Sequence, residues 1–439
     1  MSSSKDGASG KKRKSLFGTD WKHLFKPTPK STSGPSPAVL QLPDTFQDGN
    51  RAEKPSKVLP TVHHAVRGGT LSIVKQVITP ENLTAVDDQG MTPLALAVLH
   101  GHLPVVKYLL DAGASPDPEH NNGESLMCFA AMNQHVNVVR WLASEAALTA
   151  SSDIINAPDL AGQTALHLSV VRPNIEVIKA LLEAGANPNL QAGTKNELNS
   201  QGHGLGTPLG YAVDVNVPQT PATRLAIVKL LLQHGAHHLP RAEGLYPIHE
   251  AASGRWPEVL KALLDAGIEV DMQTAEPDGD VMRGATPLHY ACGQGSLEVV
   301  QTLLNRGADK TRVNAMKETM LHWAAASEHA DAPAIIKLLL GLKPNGSVVK
   351  PIITPPQVNA RTARGGTPLH CAAHKGLKAN VQTLLLMGAD PKAYADNHHF
   401  IKMLDITGTP EQLARLAGHD DVADCIAEWI TPGTEGTAV

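Results

Sequence analysis

Residues 286–307 read Thr286-Pro287-Leu288-His289-Tyr290-Ala291-Cys292-Gly293-Gln294-Gly295-Ser296-Leu297-Glu298-Val299-Val300-Gln301-Thr302-Leu303-Leu304-Asn305-Arg306-Gly307. Thr286 is an N-cap type whose hydroxyl can take an orphan backbone N–H, and Pro287 at the first helical position loses no hydrogen bond. Leu288 is the core residue of a short helix. The small residues after it let a neighbouring helix come close. Gly295 permits a tight left-handed turn. Leu297, Val299, Val300, Leu303 and Leu304 then carry the apolar period of a second helix, which Gly307 closes as a C-cap. The stretch therefore specifies a helix, a turn and a second helix.

Working outward, the opening phrase returns at Thr92-Pro93-Leu94, Ser125-Leu126-Met127, Thr164-Ala165-Leu166-His167, Thr207-Pro208-Leu209 and Tyr246-Pro247-Ile248-His249. It continues at Thr319-Met320-Leu321-His322, Thr367-Pro368-Leu369-His370 and Thr409-Pro410, with an imperfect first copy at Pro60-Thr61-Val62-His63. From Thr92 the starts are separated by 33, 39, 43, 39, 40, 33, 48 and 42 residues, one 33-residue unit with or without an insertion. Glycines recur at two fixed offsets. Nine residues after a start stand Gly69, Gly101, Gly295, Gly376 and Gly418; twenty-one after stand Gly113, Gly185, Gly267, Gly307 and Gly388.

Thr-Pro-Leu-His-x-Ala at this period resembles the ankyrin repeat. The resemblance covers Val58 to Ile430 in about ten units and implies an all-α solenoid of helix pairs joined by hairpin loops. It also implies that His63, His167, His249, His289, His322 and His370 make structural hydrogen bonds across repeats. Glu411 and Gln412 at the core Leu and His positions suit a polar capping repeat. Gly210 and Cys128 replace the phrase His, Pro173 replaces a turn Gly, and Asp214–Arg224 lengthens one inter-helix turn. Longer insertions fall at about 144–158, 188–204, 269–285 and 343–366. In a solenoid such insertions map to loops on one face.

Composition agrees with helix-on-helix packing. Hydrophobic residues make up 42% of the 439 but aromatic ones only 3%, so the core must be Leu, Val, Ile and Ala. That counts against β-sandwiches and aromatic-faced nucleic-acid platforms. No run approaches 18 apolar residues, and the first 30 residues lack a signal-type apolar segment. The widely separated Cys128, Cys292, Cys371 and Cys425 form neither a disulfide framework nor a zinc spacing. A soluble protein of a reducing compartment is expected.

Charge divides the chain. Residues 1–57 hold 11 Lys/Arg against five acids, a net +6, while the remainder holds 27 against 37, a net −10. The first 57 residues are also rich in Ser, Pro and Gly and read as a disordered basic arm. Residues 58–431 read as the array and 432–439 as a flexible tail. The acidic array offers no basic stripe to DNA.

No catalytic, cofactor or metal site is expected. His370-Cys371-x-x-His374 has the i,i+4 spacing of two ligands, yet His370 is committed to the fold. His234, His237 and His238 are loop residues near a helix end, where a cation suits the dipole. Asp396-Asn397-His398-His399-Phe400 resembles the catalytic tetrad of ankyrin-bearing protein acyltransferases but lacks its cysteine. No Gly-x-x-x-x-Gly-Lys, Gly-x-Ser-x-Gly or His-Glu-x-x-His pattern occurs. In the arm, Lys11-Lys12-Arg13-Lys14 fits a nuclear import receptor by charge or is a solvated run. Phosphorylation of the adjacent Ser15 would place negative charge beside it. Phe17, Trp21, Leu24 and Phe25 fall at helical spacing, suited to a partner groove or to covering the first repeat.

The partner-binding candidates are the positions such a fold would leave available, before the phrase and before the turn glycine. They are Met91, Glu124, Gln163, Leu245 and Glu318, then His100, Asn133, Arg172, Asp214, Gln294, His374 and Lys375. Their mixed polarity suits another protein, without direct nucleic-acid contact or membrane insertion. The function expected is a non-enzymatic adaptor, monomeric alone, acting as a nuclear transcriptional co-regulator docked on a transcription factor. The alternatives are a cytoplasmic scaffold and a groove-binding inhibitor of an enzyme.

Overall fold

The computed structural model describes residues 61–116, 125–144, 154–159, 161–193, 206–241, 244–275, 283–341, 355–395 and 407–430. The basic arm and the tail expected from the sequence lie outside these residues. The described residues divide into two compact units, one formed by those within 61–291 and by 296–315, the other by 292–295 and those within 316–430.

The described residues form the all-α array of ankyrin type. The pairs in the first unit are α1 (Val62–Arg67) and α2 (Leu71–Val77), α3 (Pro93–Leu99) and α4 (Leu103–Asp111), and α5 (Leu126–Met132) and α6 (Val136–Leu142). There follow α7 (Ala165–Val171) and α8 (Ile175–Glu183), α9 (Pro208–Ala212) and α10 (Pro221–Gln233), and α11 (Pro247–Ser253) and α12 (Pro257–Asp265). Next come α13 (Pro287–Gly293), at whose end the division between units falls, and α14 (Leu297–Asn305). The second unit adds α15 (Met320–Ala325) and α16 (Ala332–Leu339), the short α17 (Pro355–Val358), α18 (Pro368–His374) and α19 (Lys378–Leu386), and α20 (Pro410–Leu416) and α21 (Asp420–Ile430).

Each first helix is started by the phrase. Thr92 Oγ1 accepts from Ala95 N at 3.2 Å and Thr207 Oγ1 from Gly210 N at 3.3 Å. The third phrase residue is buried in every full copy: Leu94, Met127, Leu166, Leu209, Ile248, Leu288, Leu321 and Leu369 are at most 1% exposed. The Ala pairs Ala130–Ala131, Ala251–Ala252, Ala324–Ala325 and Ala372–Ala373 are wholly buried, which is why first helices can stack closely. Second helices bury a narrow stripe such as Val105-Val106-Leu109, Val177-Ile178-Leu181 or Ile335-Ile336-Leu339.

Two expectations need adjustment. The lengthened turn of the Thr207 copy occupies only Asp214–Thr220, because Thr220 caps α10 and Pro221 already lies inside it. The left-handed turn nine residues after the phrase also does not require glycine. Gln134 and Arg255 adopt it with φ of 62° and 61°, beside Gly101 at 73° and Gly295 at 60°. The stacked helices hold these residues in a backbone region they would otherwise avoid.

Candidate protein-interaction surface

Five of the phrase histidines bond to a carbonyl of the segment that leads into the next repeat. The backbone N–H of Thr164 donates to His167 Nδ1 at 3.2 Å, and Nε2 lies 3.2 Å from the carbonyl of Gly206. Nδ1 therefore accepts and Nε2 carries the proton. The arrangement recurs at His322 with Gly366 O, 3.3 Å, and at His370 with Gly408 O, 3.2 Å. His249 reaches Met272 O at 2.9 Å and Ala285 O at 3.2 Å, and His63 reaches Ala85 O at 3.0 Å. His289 Nδ1 accepts from Thr286 N at 3.1 Å. Gly206, Ala285, Gly366 and Gly408 each immediately precede the next phrase, so the bridge keeps a fixed register. Burial pushes the pKa of His167, His249 and His370 down to about 4, holding these rings neutral.

Where the sequence departs from histidine, other chemistry fills the position. The Cys128 thiol lies 3.7 Å from the carbonyls of Ala157 and Gln163, and Gln163 again precedes the next phrase. Burial pushes the thiols of Cys292 and Cys371 well up, the latter to about 12, so both stay protonated. Beside Gly210 runs Arg241, whose Cγ lies in ordinary contact, 3.7 Å, from where a Cβ would stand. Arg241 Nη1 pairs with Asp214 Oδ2 at 3.1 Å and Glu250 Oε1 at 3.4 Å.

The turn side carries a second set of rings, absent from the sequence reading. His102, His135, His329 and His419 each follow a phrase start by ten residues. Each stands where a Cβ on the preceding repeat's turn glycine would otherwise lie: Gly69, Gly101, Gly295 and Gly376, respectively. His102 Nε2 meets Arg67 O at 3.0 Å and His135 Nε2 meets Leu99 O at 2.9 Å. The shared ten-residue offset was a signal available in the sequence.

The structure sorts the partner-binding candidates by accessibility. Arg172 is exposed, and His100, Asn133, Leu245, Glu318, His374 and Lys375 are half-buried. Met91, Gln163, Asp214 and Gln294 are buried, at 5%, 5%, 9% and 8% exposure, so the fold does not leave these four available as expected. Met91 is drawn in by its N–H to Asp87 Oδ1 at 2.9 Å, and Gln163 by its N–H to Asp159 Oδ1 at 2.7 Å. Asp214 is drawn in by Arg241. Glu124 and Lys11, Lys12, Arg13 and Lys14 lie outside the described residues. His100 and His374 have lowered pKa values, burial first and neighbouring cations second. Among the described residues there is no group of three or more His, Cys, Asp or Glu able to hold a metal, and no helix long and apolar enough to cross a membrane.

Bridged helix pairs that present turns and half-buried polar side chains define a repeat scaffold. A model of ankyrin repeats matches residues 47–119, 113–192, 209–314 and 311–395, and the chain belongs to the ankyrin-repeat family. Ankyrin repeats mediate protein binding, and the family is typically non-catalytic. The chain is similar to ankyrin repeat protein nuc-2 of Neurospora crassa, 28% identical over 67% of this chain and 25% of the relative. It is 31% identical to the B-cell lymphoma 3 protein homolog of Mus musculus, over 55% and 48% respectively. The nuclear factor NF-kappa-B p105 subunit of Gallus gallus is 30% identical over 58% and 21%. The chain thus spans about half or less of the curated relatives it matches.

Proposed function

We propose that this protein is a non-enzymatic adaptor that binds another protein through its repeat turns and first helices, and that it acts in the nucleus as a co-regulator docked on a transcription factor. The observation that carries the adaptor reading is the internal commitment of the phrase histidines. The residues that look most like chemistry are neutral, buried and bonded to the next repeat. What remains accessible on each unit by itself, Arg172 on the first and His374 and Lys375 on the second, is polar and suited to recognition. The nuclear part rests on Lys11-Lys12-Arg13-Lys14 and on similarity to a protein named as a nuclear factor subunit.

The test has two arms. Microscopy of the tagged chain should show nuclear signal that is lost when the four basic residues are changed to alanine. Affinity capture from nuclear extract should recover a DNA-binding protein, with recovery reduced by Arg172→Glu and His374→Glu. Cytoplasmic signal in both versions would turn the reading to a cytoplasmic scaffold. Recovery indifferent to both changes would overturn these docking positions.

A further inference from the structure

We infer that the hairpin tips of the second unit, carrying Lys317, Arg361, Arg364, Lys392 and Tyr394, form a docking surface for a short acidic segment of a partner protein. This rests on the adaptor reading and specifies the partner's chemistry. Two hydrogen bonds put the tips side by side. Ala363 N donates to Met316 O at 2.7 Å, joining the tip of Lys317 to that of Arg361 and Arg364. Arg361 Nη1 donates to Tyr394 O at 2.7 Å, joining the second tip to the third. The cations thus stand on three consecutive hairpins joined by one main-chain bond and one bond from the Arg361 guanidinium.

Three of these cations are turned outward. Lys317, Arg361 and Lys392 are exposed, and among the described residues none of the three forms an ion pair. Two carboxylates described on the same tips face the protein's own donors instead. Glu318 Oε2 accepts from Trp323 Nε1 at 3.1 Å, and Asp390 Oδ1 accepts from the N–H of Lys392 at 2.9 Å. An earlier repeat shows the contrast, for there Asp87 at the tip is paired with Arg67 at 2.7 Å. Arg361 is already fixed by its bonds to Tyr394 O and Gly365 O, so less side-chain freedom is lost when a carboxylate docks. Tyr394, half exposed at 50%, adds an amphipathic ring beside the cations.

A short acidic peptide fits better than nucleic acid. Phosphate binding of useful strength takes many contacts along a uniformly charged rod. The same unit carries Glu411, Asp420, Asp421, Asp424 and Glu428 against the single Arg415 over 407–430, which would repel a polyanion long enough to span it. A segment of a few carboxylates separated by apolar residues can use the tips alone.

The test is fluorescence anisotropy of the full chain with a labelled peptide of four Glu-Glu-Leu triplets, competed by unlabelled peptide or a 12-bp DNA duplex. The proposal expects saturable, salt-sensitive binding. Binding should weaken about tenfold or more in K317E/R361E/R364E/K392E. It should be unchanged when Lys11, Lys12, Arg13 and Lys14 are replaced by alanine. If the fourfold variant has a lowered melting temperature, K317E and K392E alone must each weaken binding. Equal binding by the tip variants, loss in the arm variant, no saturable binding at low salt, or equally effective competition by the duplex would each overturn it. Capture of a partner that depends on Arg172 and His374 is a separate readout, so the tip surface can fail while the adaptor reading stands.

Discussion

The imidazole of His102 stands over the bare Cα of Gly69: a Cβ there would lie 2.4 Å from its Cε1, while its Nε2 meets the carbonyl of Arg67 at 3.0 Å. The same relation joins Gly101 to His135 and Gly376 to His419. The turn glycine therefore serves two ends. It adopts a positive φ and opens the space into which the next repeat inserts a ring. Stacking is set by side-chain geometry at the turn as well as by apolar faces.

The two ends separate experimentally. Gly101 and Gly113 both have positive φ, 73° and 96°, but only a Cβ at Gly101 would meet a ring, His135 Nδ1 at 2.5 Å; none lies within 4 Å at Gly113. Gly113→Ala should cost about 1 kcal/mol, the backbone penalty alone. Gly101→Ala should cost about 3 kcal/mol, because the ring must also leave its place. Urea midpoints of the two variants decide it, and equal losses would show that the ring contact carries no energy.

Gly295→Val should be more damaging still. At φ 60° a β-branched residue is strained, and its Cβ would fall 2.3 Å from His329 Cβ, an atom close to the backbone that cannot swing aside. A melting curve unchanged from the parent would refute both the turn and its contact with His329.

Much of this was legible in the sequence, and the reasons are local. The phrase fixes cap, core residue and close approach within six positions, so helix pairs could be placed from Thr92, Thr286 or Thr367 alone. The histidine bridges were legible too, since Gly206, Gly366 and Gly408 keep a fixed place before the next phrase. The burial of Met91, Gln163, Asp214 and Gln294 was not. For Met91 and Gln163 it turns on the side chain of an acid four residues earlier, Asp87 or Asp159, and for Asp214 on Arg241 of the next repeat, a pairing no spacing announces. Arg241 is the clearest case: a cation from the next repeat pairs with Asp214 and draws it in.

Acid should loosen the array through its bridges. His167, His249 and His370 titrate near 4 when folded, against about 6.5 when unfolded. Between those values the unfolded chain binds more protons, so stability rises with pH; it is fully present above about 6.5 and falls as pH drops toward 4. Each site contributes up to about 3 kcal/mol across that window. Gln412 occupies the same position in the last repeat and accepts from Thr409 N at 3.0 Å without titrating. Replacing the three histidines by Gln should therefore flatten the dependence of urea-unfolding free energy on pH between 7 and 5. An unaltered slope would assign the acid response to other groups.

Arg224 is a buried cation of the first unit. It is 2% exposed, with Nη1 donating to Ala212 O and Asp214 O and Nη2 to Val217 O at 2.8 Å. Its guanidinium carbon lies 3.8 Å from the centre of the Trp256 ring in the next repeat. Burial lowers its pKa, while Asp214 and Glu250 raise it. One cation thus closes the long turn of its own repeat and packs on its neighbour. Arg224→Met keeps most of the volume but leaves three carbonyls without this donor, at a cost of about 3 kcal/mol. In a stacked array the loss should spread to adjoining repeats and fade with distance. Hydrogen exchange should accelerate most in Pro208–Ala212 and Pro221–Gln233, next in Pro257–Asp265, and least in Pro93–Leu99. Uniform acceleration across all four helices would mean that this unit unfolds as a single block and that Arg224 is not a local clasp.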